Sequence, residues 1–187
     1  MEIGKIKIFQ NRIEWRKWLS KNSKKEKEIW LAYYNKASGK KNIPYDHAVE
    51  EALCYGWIDS VVKKNDKNTC VQRFTPRRSN SNLSTLNKER ILKLIKQKKM
   101  TKKGLEAVKH VFIYNGKEQK LKIPNDILII IKKDKEIWKH FQSFPEKYKR
   151  IRIGWIEDAR DRPLMFKQRL NYFLKMTAKN KKYGSIP

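Results

Sequence analysis

Between Arg73 and Asn87 the chain reads RFTPRRSNSNLSTLN, which sets Arg73, Arg77 and Arg78 beside a run of hydroxyl and amide side chains. Guanidinium forks next to a helix N-terminus have the chemistry to hold phosphate or carboxylate, because the first helical N–H groups find no partner within the helix. Ser, Thr and Asn also precede helices simply as caps, and no glycine cradle of the phosphate-loop kind accompanies these arginines. Upstream, EEALCYGWIDS gathers Glu50, Glu51, Cys54 and Asp59, a close set of reactive side chains. A nucleophilic cysteine needs a lowered pKa and an adjacent base. His47 lies two turns before Cys54 on the same helix face, which makes a Cys–His pair strained, so Cys54 reads as a packed thiol. Asp59 has two roles open to it: a structural ion pair with Arg73 or Arg77, or a place in a pocket floor with Trp57. The candidate anion site is therefore Trp57, Asp59, Arg73, Arg77, Arg78, Ser81, Ser84 and Asn87, with no catalytic residue assigned. His110 and His140 are isolated, and Cys54 and Cys70 lack metal-ligand spacing, so neither metal nor cofactor is expected.

The elements that must position these residues follow from periodicity and punctuation. Ile6–Phe9 alternates Lys with apolar residues and reads as a short edge strand. Asn11 and Glu14 have the form of a capping box, opening a helix to about Lys21 with Trp15, Trp18 and Leu19 on one face. Glu28–Asn35 is short and dense in aromatic and aliphatic residues, the pattern of a buried strand. A helix from Pro44 or Tyr45 carries Ala48, Val49, Ala52 and Leu53 inward and stops at Gly56. Trp57–Lys64 and Thr69–Thr75 are strands joined by the turn-prone Asn65-Asp66-Lys67-Asn68. Ser84 or Thr85 caps the next helix, and Thr101 caps one that should end near Tyr114-Asn115-Gly116. From Lys117 onward, after one short extended piece, the chain reads as helices opening at Asn125 or Asp126, Asp134, Pro145 and Pro163, with a polar, frayed tail from Lys179. The expected class is α+β: a small, mostly antiparallel sheet with packed helices over residues 1 to about 116, followed by a helical C-terminal part over 117–187.

With 187 residues the chain can bury a sizeable core. Its 46 Lys and Arg against 19 Asp and Glu give a formal net charge of +27, which on composition leans toward disorder. Six tryptophans spaced among the lysines argue for a fold instead. The charge has the sign for a polyanion partner, yet it is mostly lysine, dispersed along the chain among Asn and Ile as AT-rich coding produces. Weak, non-specific nucleic-acid binding at low salt is the minimum it implies. Met1 to Ser20 shows no apolar signal core and no later run reaches the roughly 20 residues of a membrane helix, so a reduced, cytoplasmic protein without a transmembrane segment is expected.

AVEEALCYGWIDS followed by QRFTPRRSNSNLSTLNKERILKLIKQKKMTKKGLEAV resembles the YdeI/OmpD-associated family, described as bacteriocin-protection proteins. WLAYYNKASG, IPNDILIIIKKDKEIWKHFQSF and the closing arginine-bearing helix extend the resemblance over nearly the whole length. The chain departs from the family pattern at Leu83, where Trp is usual, and at ARDRPLMF, which replaces a Thr- and Arg-rich segment. The resemblance implies an α+β part and a helical part, and no settled catalytic activity. The reading it leads to is a non-enzymatic protein contributing to tolerance of bacteriocins or cationic peptides through a small anionic ligand or protein partner. Two alternatives stand beside it. One is a nucleic-acid-binding accessory protein using the basic surface. The other is an enzyme using Asp59 or Glu50 as acid–base, with the arginines as anion clamp.

Overall fold

The computed structural model describes residues 2–112 and 120–187, apart from the side chain of Lys36. The expected helix end at Tyr114-Asn115-Gly116 and the boundary at 116 lie outside the described residues. The chain divides into two compact units: Met1–Asn82 with Arg90–Ile113, and Leu83–Glu89 with Tyr114–Pro187.

The first unit is built on a sheet of strands β1 (Ile6–Lys7), β2 (Ile29–Tyr34), β3 (Trp57–Lys64) and β4 (Thr69–Pro76), in the order β1-β2-β4-β3. Strand β1 runs parallel to β2 while the other two pairings are antiparallel, so the sheet is mixed rather than strictly antiparallel. Asp66 closes the β3–β4 hairpin by accepting from the backbone N–H of Asn68 (2.7 Å) and Thr69 (2.8 Å).

Two helices, α1 (Arg12–Asn22) and α2 (Tyr45–Cys54), pack on this sheet. Asn11 caps α1 by accepting from the Glu14 N–H at 3.0 Å, and Glu14 reaches back to the N–H of Gln10 rather than of Asn11 itself. Gly56 ends α2 with φ +73, a conformation that a side chain would strain. Trp15 and Trp18 stack at 5.2 Å, Trp15 meets Phe74 edge-on at 5.6 Å, and Trp18 meets Trp57 at 5.8 Å. These rings supply the large buried apolar area that a chain so rich in lysine needs. Helices α3 (Thr85–Lys96) and α4 (Lys102–Glu106) follow. Thr101 caps α4 as expected, accepting from the Gly104 N–H at 3.1 Å, but α4 is only 5 residues long.

The second unit contains α5 (Asn125–Lys132), α6 (Lys135–Ser143), α7 (Glu146–Glu157) and α8 (Pro163–Ala178) around a core that includes Ile127, Ile131, Phe141, Tyr148, Ile156 and Phe173. Together the two units make an α+β protein with a helical C-terminal part. The tail is not frayed. Tyr183 packs against Tyr148, Trp155 and Tyr172, and Arg152 donates to the carbonyl of Ser185 at 3.2 Å, so aromatic contact and a guanidinium fix a segment whose composition looked mobile.

Candidate functional site

Six of the eight candidate residues, Trp57, Asp59, Arg73, Arg77, Arg78 and Ser81, lie in the first unit, and Ser84 and Asn87 lie in the second. Trp57 is fully buried and gives its indole N–H to the carbonyl of Ser23 at 3.1 Å, so it is a core residue rather than a pocket floor. Asp59 pairs with neither Arg73 nor Arg77. It accepts from the Tyr45 hydroxyl (2.7 Å) and the Gln72 side chain (2.8 Å), both on Oδ2. The register explains why Arg73 is elsewhere. Asp59 is paired with Phe74, so Phe74 shares its sheet face while Arg73, one residue earlier, points to the opposite face. There Arg73 donates to Glu28 at 2.7 Å, and Glu28 also accepts from the indole of Trp30.

Arg77 is spent on its own loop. Its Nη2 donates to the carbonyls of Ser81 (3.0 Å) and Asn82, and burial pulls its pKa down. Arg78 is exposed, and its carbonyl accepts from both the backbone N–H and the hydroxyl of Ser81. Ser84 and Asn87 belong to the second unit, where Ser84 Oγ accepts from the Asn87 N–H at 3.3 Å as an ordinary N-cap. The N–H of Thr85 donates to the carboxylate of Asp158, which burial pushes above the usual carboxylate range against the pull of Arg169 and Lys88. A side-chain carboxylate thus already sits where a ligand anion was expected.

On α2 the acidic pair builds a different structure. Glu50 and Glu51 are 2% and 1% exposed, and both are ion-paired. Arg12 reaches both carboxylates, Arg16 donates to Glu51 at 2.6 Å, and Lys93 donates to Glu50 at 2.8 Å. Both carboxylates are therefore committed to holding α1 and α3 against α2. Cys54 is buried, and burial first, then Glu51, pushes its thiol up to about 11, the opposite of what a nucleophile needs. Among the described residues, no group of three or more His, Cys, Asp or Glu is placed to hold a metal ion, and no helix is long and apolar enough to cross a membrane.

The second unit holds a cleft of about 690 Å³, within the size range of small-ligand sites. Ile123, Pro124 and Ile153 give it apolar wall, and Thr85 and Gly154 meet where α3 and α7 come into contact. Lys120 and Lys122 are exposed on its lining. Arg150 also lines it, held by Glu89 at 2.6 Å and Glu146 at 3.5 Å. The acidic lining residue, Glu157, is paired with Arg160. Arg150 and Glu157 are thus each balanced by partners, and the two lysines leave the cleft with a positive surplus.

Residues 7–107 match the family described as "Domain of unknown function (DUF8412)", and residues 120–180 match "Bacteriocin-protection, YdeI or OmpD-Associated". The chain belongs to the first family, and its residues 120–180 are similar to the YdeI/OmpD-associated family. Neither the curated proteins nor the solved structures give a match. The GWIDS and FTPRR motifs lie within the span of the first family, whereas Lys120, Lys122, Ile123, Arg150 and Ile153 of the cleft lie within the YdeI/OmpD-associated span. Sequence reasoning missed the cleft because its lining comes from three separated segments. The one local signal was the basic, apolar and proline-bearing run Lys120-Leu-Lys-Ile-Pro124 ahead of α5.

Proposed function

We propose that this YdeI/OmpD-associated protein is a non-catalytic, cytoplasmic binding protein for a small anionic ligand, which it holds in the cleft of its helical unit. Through that ligand, or a partner presenting it, the protein contributes to tolerance of bacteriocins or cationic peptides. The observation that carries the reading is the cleft of about 690 Å³ whose lining joins Lys120 and Lys122 to an apolar wall. Lysine ammonium groups recognise phosphate or carboxylate as point charges, and the apolar wall favours a ligand with a carbon body. The committed state of Glu50 and Glu51 supports binding over catalysis, since neither is available as an acid or base. Two free thiols fit a reducing compartment. The net charge of +27 adds a weak, salt-sensitive attraction for polyanions over the whole surface.

Titration calorimetry and thermal shift at physiological salt, with phosphorylated metabolites and aliphatic carboxylates, test this. Lys120→Gln with Lys122→Gln should weaken the best ligand by about tenfold, from two charge-assisted contacts. An Arg77→Ala, Arg78→Ala variant should bind unchanged. Binding that ignores the lysine pair but disappears with the arginine pair would move the site back to the first unit and reject the cleft.

A further inference from the structure

On a different face of α7 from the cleft, Tyr148, Arg152 and Trp155 follow one another at i, i+4 and i+7. Arg152 is 6% exposed, and its contacts among the described residues are a carbonyl and two aromatic rings. Its guanidinium carbon lies 5.6 Å from the centre of the Tyr148 ring and 4.9 Å from that of Tyr183. One Nη donates to the carbonyl of Ser185, while Nε is buried with no acceptor. A buried cation satisfied by one neutral carbonyl and two ring faces is poorly compensated, because an oxyanion would form the stronger, charge-assisted bonds.

The group filling this seat comes from the tail. The Tyr183 ring stands edge-on to Tyr172 (4.8 Å), Trp155 (6.0 Å) and Tyr148 (6.3 Å). The chain then turns at Gly184 with φ +70, so close to Arg152 that a Cβ there would lie 2.6 Å from its Nη1. The tail therefore offers an aromatic ring followed at once by an oxygen acceptor.

We infer that Tyr148, Arg152, Trp155 and Tyr172 form a second ligand seat, selective for an aryl group bearing an oxyanion such as an aryl phosphate, which Tyr183–Ser185 holds closed in cis. The inference does not rest on the cleft. The tail's ring and carbonyl stand in for the ligand's ring and oxyanion, and a ligand binds as the tail leaves. Closure by the tail lowers the apparent affinity by the fraction of molecules that are open.

The test uses the full chain with phenyl phosphate as probe and inorganic phosphate as control. Trp155 indole resonances report the seat and amide exchange at Tyr183–Ser185 reports the tail. Gly184→Ala strains the φ +70 turn and Tyr183→Ala removes the ring, so each favours the open tail while keeping all four seat residues. Both should bind phenyl phosphate about tenfold tighter than the parent, as expected when a closed state is removed, and inorganic phosphate, which has no ring for the aromatic walls, should bind the opened seat far more weakly than phenyl phosphate. Adding Arg152→Lys to Gly184→Ala should abolish the gain, since a lysine lacks the planar fork, whereas Lys120→Gln with Lys122→Gln should leave it intact. Equal affinity in parent and tail variants overturns the inference. So does inorganic phosphate binding the tail variants as tightly as phenyl phosphate, a gain that survives Arg152→Lys, or tail amides as protected in both variants as in the parent.

Discussion

Replacing Glu51 by glutamine removes the charge from a carboxylate that is 1% exposed and that binds two arginines, Arg12 and Arg16. Breaking a buried ion pair from one side typically costs ~3–5 kcal/mol, because the partner charges are left behind. Here the Arg12 and Arg16 side chains keep 25% and 36% exposure, so water takes up part of the released charge. Arg12 also retains Glu50 at 2.6 Å, and Arg16 retains the Lys99 carbonyl at 2.9 Å. The lower end of the range, about 3 kcal/mol, is therefore expected. In a chain of this size that corresponds to a fall in Tm of roughly 6–12 °C. Urea and thermal unfolding followed by tryptophan fluorescence measure it, since Trp15, Trp18 and Trp57 are buried in the same unit. A cycle with Arg16→Met should show coupling above about 0.5 kcal/mol, as side chains in direct contact do. A Glu51→Gln loss under about 1 kcal/mol with no coupling would refute the claim that this pair network holds the helices together.

Two further outcomes follow from the buried groups of α2. Burial pushes the Glu50 carboxyl up, but hydrogen bonds from Lys93 and Arg12 outweigh it and hold it below its ordinary value of 4.5. A depressed pKa contributes stability that is present above the unfolded value and lost as pH falls through the folded one. Stability should therefore drop below pH 4.5, and a Glu50→Gln variant that keeps the whole drop would assign it to other carboxylates. The two thiols should separate cleanly at pH 8 toward an aromatic disulfide reagent. Cys70, which is exposed, reacts at once, while Cys54, buried with its pKa near 11, waits for unfolding; two fast thiols would contradict the burial of Cys54.

Much of the fold is written locally in the chain. Asn11 caps α1, Gly56 stops α2, Asp66 closes the hairpin and Thr101 caps α4, each through contacts within a few residues or through a backbone angle only glycine adopts without strain. The tryptophans of α1 face inward where the 3.6-residue period puts them. The packed character of Cys54 was legible for the same reason, from its place on an apolar helix face.

The convergence of charged groups was not legible, because it depends on pairing across long separations. A pairing of Asp59 with Arg73 was one role the sequence left open, yet a register that aligns Asp59 with Phe74 turns Arg73 to the other side of the sheet, where Glu28 holds it. The N-terminus of α3 invited an anion, and Asp158 from the end of α7 provides one. Glu50 and Glu51 became structural only when α1 and α3 brought arginine and lysine against them. By itself the sequence determined the helices, strands and caps, since propensity and capping act over a few residues. Tertiary structure alone decided which charges neutralise one another and that Lys120 and Lys122 line a cleft with Arg150 and Glu157, because ion pairing and desolvation depend on distances that chain order does not encode.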